Sequence, residues 1–205
     1  MIKHLPNSAF EDPEIAAIVE SCDFNVNIVR HILLKNRFYK EDNKVKSTDF
    51  LFKGDPTSGI ICNKLHTPNI IASSSFSENY LPYNILKNDD SYYCSSDKDK
   101  YNAYIDIDFS PKVLKLKSYT MRSWKHASNG VAPVTWSLFA LVDEKWVLID
   151  KRENVRDLTS DSATVVYDID DAPNASTYRL EQTANGNPGN KRFALSFFEV
   201  FGIIL

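Results

Sequence analysis

The spacing of apolar residues changes character near residue 50. Before it, apolar positions recur every three or four residues: Ile15, Ile18 and Val19, then Val26, Val29, Ile32 and Leu33. That period puts them on one face of a helix. Asp12-Pro13-Glu14 reads as a helix start: a capping carboxylate, a first-turn proline, and an acid at the positive end of the dipole. Lys35, Arg37 and Lys40 load the C-terminal end of the second stretch with positive charge. The polar run 41–49 reads as a linker. Helices this short do not hold together alone, so this stripe is expected to dock on the rest of the chain or on a partner.

Beyond residue 50 the period is two. Ala103-Tyr104-Ile105-Asp106-Ile107-Asp108-Phe109 alternates apolar and acidic residues, and 113–122 alternates again. Such alternation predicts strands with one face in a core. Further strands are predicted over 134–142, 145–150, 163–168, 176–182 and 193–203. Turn signals separate them: Asn129-Gly130, Asp143-Glu144, Asp170-Asp171-Ala172-Pro173 and Asn185-Gly186-Asn187-Pro188-Gly189. Many short strands with no helices between them predict an antiparallel sandwich or barrel. Trp136 and Trp146 lie inside predicted strands and are expected as core anchors.

The order of several short pieces carries a resemblance. Ile71-Ala72-Ser73-Ser74-Ser75 is followed by Ser91-Tyr92-Tyr93-Cys94-Ser95-Ser96, the 103–109 strand, and Leu116-Lys117-Ser118-Tyr119-Thr120-Met121-Arg122-Ser123. Later come Trp136-Ser137-Leu138, Trp146, Tyr178-Arg179-Leu180-Glu181-Gln182-Thr183 and Phe197-Phe198-Glu199-Val200-Phe201-Gly202. Residues 50–205 thereby resemble the discoidin family, also called the coagulation-factor type C domain. The likeness is greatest to intracellular versions attached to BTB-domain proteins in protists. Those open with a stretch like Phe50-Leu51-Phe52-Lys53-Gly54-Asp55. The resemblance implies a mainly β, galactose-binding-like jelly-roll sandwich over 50–205, preceded by a helical lead-in and linker over 1–49. That lead-in is too short for a BTB domain.

Charge and cysteine content narrow the picture. The net charge of -3 supplies no global field for nucleic acid. Cys22, Cys62 and Cys94 are widely separated and odd in number, which predicts reduced, mostly buried thiols and a cytoplasmic setting. No apolar run is long enough to span a bilayer, and the N-terminus lacks the apolar region of a signal peptide. Secreted discoidin domains commonly pair cysteines at both ends. Here Cys62 lies near the start and 201–205 has none, which the resemblance reads as the intracellular branch.

Chemistry is sparse. His4, His31, His66 and His126 show no ligand spacing, and GxSxG, HExxH and P-loop motifs are absent. Asp106 and Asp108 share the outward face of one strand and read as a solvated face. The acids and amide of 87–100, Asn88, Asp89, Asp90, Asp97 and Asp99, lack the glycine and glutamate of an EF-hand. Many discoidin relatives place a calcium-holding acid where this chain has Leu86 or Lys87, and neither is a calcium ligand. Glu199 is the remaining weak metal candidate, with a structural hydrogen bond as its other reading; no cofactor is expected beyond that doubtful calcium.

The set that points to recognition is aromatic and basic. Arg122, Ser123, Trp124, Lys125 and His126 run from a strand into a loop, and Tyr80 and Tyr83 lie in the first long loop. Rings beside basic groups suit a sugar face with its hydroxyls, and equally a protein hot spot. Tyr80, Tyr83, Arg122, Trp124 and His126 are therefore the expected ligand or partner site, with Arg122 alternatively a tie between strands. The first expectation is a non-catalytic scaffold subunit binding protein partners in a larger, cytoskeletal or ciliary assembly. The second is carbohydrate or small-ligand recognition by the rim loops.

Overall fold

The computed structural model describes residues 48–205, except 51, 64–66, 100, 101 and 186–189. The predicted helices over 12–40 lie outside the described residues. Among the described residues, ten strands build two antiparallel sheets: β1 (Thr48–Phe50), β2 (Asn69–Ala72), β3 (Tyr93–Cys94), β4 (Tyr104–Asp108), β5 (Leu114–Ser123), β6 (Pro133–Val142), β7 (Lys145–Arg152), β8 (Thr164–Asp168), β9 (Thr177–Asn185) and β10 (Ala194–Ile204). One sheet runs β1-β10-β5-β8, with β3 also on β10; the other runs β2-β4-β9-β6-β7. The strands predicted from alternation appear within a few residues of the expected bounds. The short β1, β2 and β3 were not predicted as strands, because too few residues alternate in them.

The period-two pattern explains the layering. In β4 the buried Ile105 and Ile107 alternate with Tyr104, Asp106 and Asp108 on the outer face. In β6, Val134, Trp136, Leu138 and Ala140 point inward. Trp136, Leu138 and Ala140 pack against Leu116, Tyr119, Met121, Phe198 and Val200 of the other sheet in one core. Burying each large apolar side chain contributes about 1.5–3 kcal/mol. Hydrogen bonds also cross between the sheets: Trp136 Nε1 donates to Tyr119 Oη at 2.9 Å, Tyr119 Oη donates to Asp150 Oδ2 at 2.6 Å, Tyr178 Oη donates to the Leu114 carbonyl at 2.6 Å, and Arg152 donates to the Asp168 carbonyl at 2.7 Å. A buried ring polar group needs such a partner.

β10 breaks the alternation, being buried on both faces over most of its length. Its outer face is covered by the chain at 59–62. Ile60 N–H donates to the Val200 carbonyl at 2.9 Å. Glu199 is wholly buried there and accepts from the backbone N–H groups of Ile61 and Cys62, both at 2.7 Å. The approach is close enough that a Cβ on Gly59 would lie 2.4 Å from the Val200 carbonyl oxygen. β6 and β7 meet in a tight hairpin whose central residues, Asp143 and Glu144, have φ of 48° and 62°, the left-handed geometry that matches strand twist.

Register decides which loops share an end. Leu195 lies opposite Ser123 and Ala194 opposite Cys94. In the other sheet Pro133 lies opposite Asn185 and Tyr104 opposite Glu181. Loops 73–92, 124–132, 153–163 and 190–193 therefore gather at one rim. Backbone bonds knit them: Ala194 N–H to Val131, Ser162 N–H to Trp124, and Phe76 N–H to Cys94.

Candidate functional site

A ladder of rings crosses this rim. Phe76 lies 5.9 Å from Tyr80, Tyr80 lies 4.7 Å from Tyr92, and Tyr92 stacks on Trp124 at 4.7 Å. His126 then meets Trp124 edge to face at 5.0 Å. These are favourable aromatic separations. Two loops contribute its rings, 73–92 and 124–132, so the ladder exists only once the sandwich has closed.

Both ends of the ladder carry basic groups. The Arg192 guanidinium lies over the Phe76 ring at 3.9 Å and is held by a two-pronged bond to Asp97, both contacts 2.9 Å. At the other end, exposed His126 faces Asp161, whose carboxylate accepts from Ser128 N–H at 2.9 Å. That backbone bond, the Ser128 hydroxyl and the nearby imidazole hold the Asp161 carboxyl below its usual range. Phe76, at 47%, and His126 are exposed, and Tyr80, Tyr92 and Trp124 are partly buried. Trp124 and the two tyrosines also rest on a small apolar cluster of Cys94, Val131 and Ala194. The indole N–H of Trp124 is buried and has no acceptor among the described residues. Burial, reinforced by the neighbouring Tyr80 hydroxyl, raises the Tyr92 phenol above its ordinary range.

Of the five residues expected from sequence, three join the ladder: Tyr80, Trp124 and His126. Tyr83 stands apart on the 3-10 turn Pro82–Leu86, half exposed, with Lys87 Nζ 4.8 Å over its ring. Arg122 is a tie: it donates to Asn88 Oδ1 at 2.8 Å, to the Asp89 carbonyl at 3.0 Å and to Ser196 Oγ at 3.3 Å. It also covers the Phe197 ring at 5.0 Å. It lines a polar cleft of about 210 Å³ with Asp90, Lys125 and Ser162.

Phe76, Tyr92, Asp97 and Arg192 complete the rim and were not legible as a site. Phe76 had one signal, a lone aromatic in the polar run 73–79. Arg192 had none, since its pairing with Asp97 spans most of the domain.

The remaining chemical candidates have structural partners. Both Glu199 oxygens accept backbone N–H groups, the hydrogen-bonding reading of that residue, and Val200 N–H adds a third bond. Burial nonetheless pushes its carboxyl up. Beside it, Cys62 is pushed up to about 12 by burial and the Glu199 charge. Asp99 accepts from the Ser73 and Ser74 hydroxyls, Asp97 holds Arg192, and Asp89 caps Ser91 N–H. Among the described residues, no three His, Cys, Asp or Glu side chains are grouped to hold a metal ion.

Trp146 corrects an expectation. It lies on the outer face of its sheet, half buried, with the Arg179 guanidinium 4.4 Å above it. Only Trp136 is a core anchor. Among the described residues, no helix is long and apolar enough to cross a membrane.

Solved structures share this architecture. The family 32 carbohydrate-binding module of C. perfringens NanJ, in complex with galactose, matches at TM-score 0.53 and 9% identity over 65% of this chain and 93% of that one. Another Clostridium perfringens family 32 module, in complex with GalNAc-β-1,3-galactose, matches at TM-score 0.53 and 13% identity, covering 66% and 95%. Chitosan-binding module 1 of the chitosanase/glucanase from Paenibacillus sp. IK-5 matches at TM-score 0.51 and 14% identity, covering 67% and 96%. No family model and no curated protein matches the chain. At such identities the likeness concerns the fold: a galactose-binding-like, discoidin-type sandwich.

Proposed function

We propose that this galactose-binding-like sandwich is a binding module that recognises carbohydrate at its loop rim. One observation carries the reading: the ladder Phe76–Tyr80–Tyr92–Trp124–His126, partly exposed and flanked by Arg192. The C–H bonds on one face of a pyranose ring carry slight positive charge, and an aromatic face carries the complementary negative quadrupole. Arg192, His126 and the carboxylates Asp97 and Asp161 stand beside the rings, where donors and acceptors can meet hydroxyls. Of the solved neighbours, those named above are carbohydrate-binding modules by their own description, which supports the same choice. The scaffold function expected first from the sequence thus becomes the second reading.

An open, shallow rim implies weak binding, with Kd on the order of 1 mM, about -4 kcal/mol. Titrating a panel of mono- and disaccharides by calorimetry, alongside melting shifts, tests the proposal. At least one sugar should bind, and Trp124→Ala should abolish its heat. Because Trp124 is also a strut, Phe76→Ala and His126→Ala provide variants at exposed positions; each should weaken binding at least several-fold with little change in melting. A panel without any response, or a response untouched by all three substitutions, would sink the assignment.

The second reading, docking of a protein partner, has its own observation. On the other sheet, Ile71 is 66% exposed and Leu148 49% exposed. Such isolated apolar residues are common on surfaces, so they support it less than the ladder supports sugar binding.

A further inference from the structure

The family resemblance leaves one place for calcium in this chain, Glu199 of β10. A calcium ion takes about six to eight oxygen ligands, so the groups around that carboxylate decide whether it fits. They are hydrogen-bond donors. Glu199 Oε1 accepts from Ile61 N–H at 2.7 Å and from Val200 N–H at 2.9 Å, and Oε2 accepts from Cys62 N–H at 2.7 Å. Both oxygens thus meet the positive ends of N–H bonds, on the sides from which a cation would approach. Such charge-assisted bonds are the strong ones. The residue is wholly buried, and the Gly59 backbone lies so near that a Cβ there would stand 2.7 Å from Glu199 Cδ.

A second observation concerns the oxygens of the covering segment itself. Backbone carbonyls in such a turn are natural calcium ligands, yet here they too accept from nitrogen. Asn63 Nδ2 donates to the Ser58 carbonyl at 3.1 Å and to the Gly59 carbonyl at 2.6 Å. The Asp55 carbonyl accepts from Ser58 N–H at 3.3 Å. The Asp55 carboxylate caps its own turn, accepting from the Thr57 N–H and hydroxyl, both at 2.9 Å. An ion ligated here would displace several of these bonds and leave buried N–H groups without acceptors, which is costly.

We propose that calcium has no place at Glu199: a closed set of N–H donors, from Ile61, Cys62, Val200 and the Asn63 amide, fastens residues 55–63 to β10 in its stead, and the domain folds independently of the metal. This holds whether or not the rim binds sugar.

Melting of the full chain should be the same in excess EDTA and in millimolar calcium chloride. Amide resonances of 59–63 and 199–200 should not move between the two solutions. Glu199→Gln keeps the size of the side chain but turns an NH2 group toward N–H donors. Its melting temperature should fall by about 5–10 °C, to the same value with chelator and with calcium. Asn63→Ala removes only the two side-chain bonds and should cost less, again equally in both solutions. Where Glu199→Gln does not fold, the wild-type comparison and Asn63→Ala decide. Calcium-dependent shifts at 59–63 or 199–200, or a calcium-raised melting temperature that either substitution abolishes, would overturn the proposal. So would wild-type melting of Glu199→Gln, because the carboxylate would then not be what fastens the segment.

Discussion

Gly202 shows how a single position can carry a whole packing decision. A Cβ there would lie 2.2 Å from the Lys115 carbonyl oxygen and 3.0 Å from Leu116 Cα. Both are backbone atoms, which cannot swing aside as a side chain would. The β10–β5 register also shifts between Phe201 and Gly202, so the glycine sits where the ladder is irregular. Gly202→Ala should cost about 2–3 kcal/mol through overpacking, read as a lower midpoint in urea with an unchanged slope. An unchanged midpoint would mean that the strand relaxes freely there. The sequence displayed Gly202 only as part of a family-like piece, because nothing local announces a neighbouring strand's carbonyl. Glu199 is similar. Its type and position were legible as a candidate, but its partners, Ile61 and Cys62, lie over a hundred residues away in the chain.

At the scale of elements, the second sheet's outer face is held by a stack across β4, β9 and β7. Arg179 makes a two-pronged bond to Asp106 at 2.6 and 2.8 Å. Its guanidinium lies 4.0 Å from the Tyr104 ring and 4.4 Å from that of Trp146. The acid of β4 stands directly opposite the arginine of β9. Because both side chains keep about a fifth of their surface exposed, solvent screens part of the attraction. A double-mutant cycle of Asp106→Ala and Arg179→Ala should give a coupling of about 1 kcal/mol. Trp146→Ala should destabilise far less than Trp136→Ala, which would empty the core at a cost of about 3–5 kcal/mol. Comparable losses for the two would restore Trp146 to the core. Alternation predicted that Asp106 faces outward, yet the strand order that supplies its partner is a tertiary fact. For the same reason the strands from β4 onward were legible, whereas β1, β2 and β3 gain their identity only from pairing.

For the whole molecule, the concentration of buried phenols makes stability depend on alkaline pH. Tyr93, Tyr119, Tyr167 and Tyr178 all have their ionisation pushed up, chiefly because burial penalises the charged phenolate. In an unfolded chain a tyrosine ionises near pH 10, at about its ordinary value. The folded state binds these protons more tightly. Their contribution is therefore fully present below about pH 10 and is lost as the pH rises beyond it. Melting temperature should fall steeply above that point. Phenolate absorbance should appear together with loss of near-ultraviolet circular dichroism. Ionisation of all the tyrosines well before that loss would contradict the buried network.

Read alone, the chain determined that a β sandwich follows residue 50, which strand faces turn inward, where the main turns fall, and that rings and bases collect in loops. Those properties depend on neighbours two to four residues away, and local sterics and solvation express them directly. The tertiary structure alone decided that Phe76, Tyr92 and Arg192 join Tyr80, Trp124 and His126, and that Arg122 and Glu199 serve as ties. Each of those depends on strand order and register, and pairing two distant strands carries no mark in either one's own sequence.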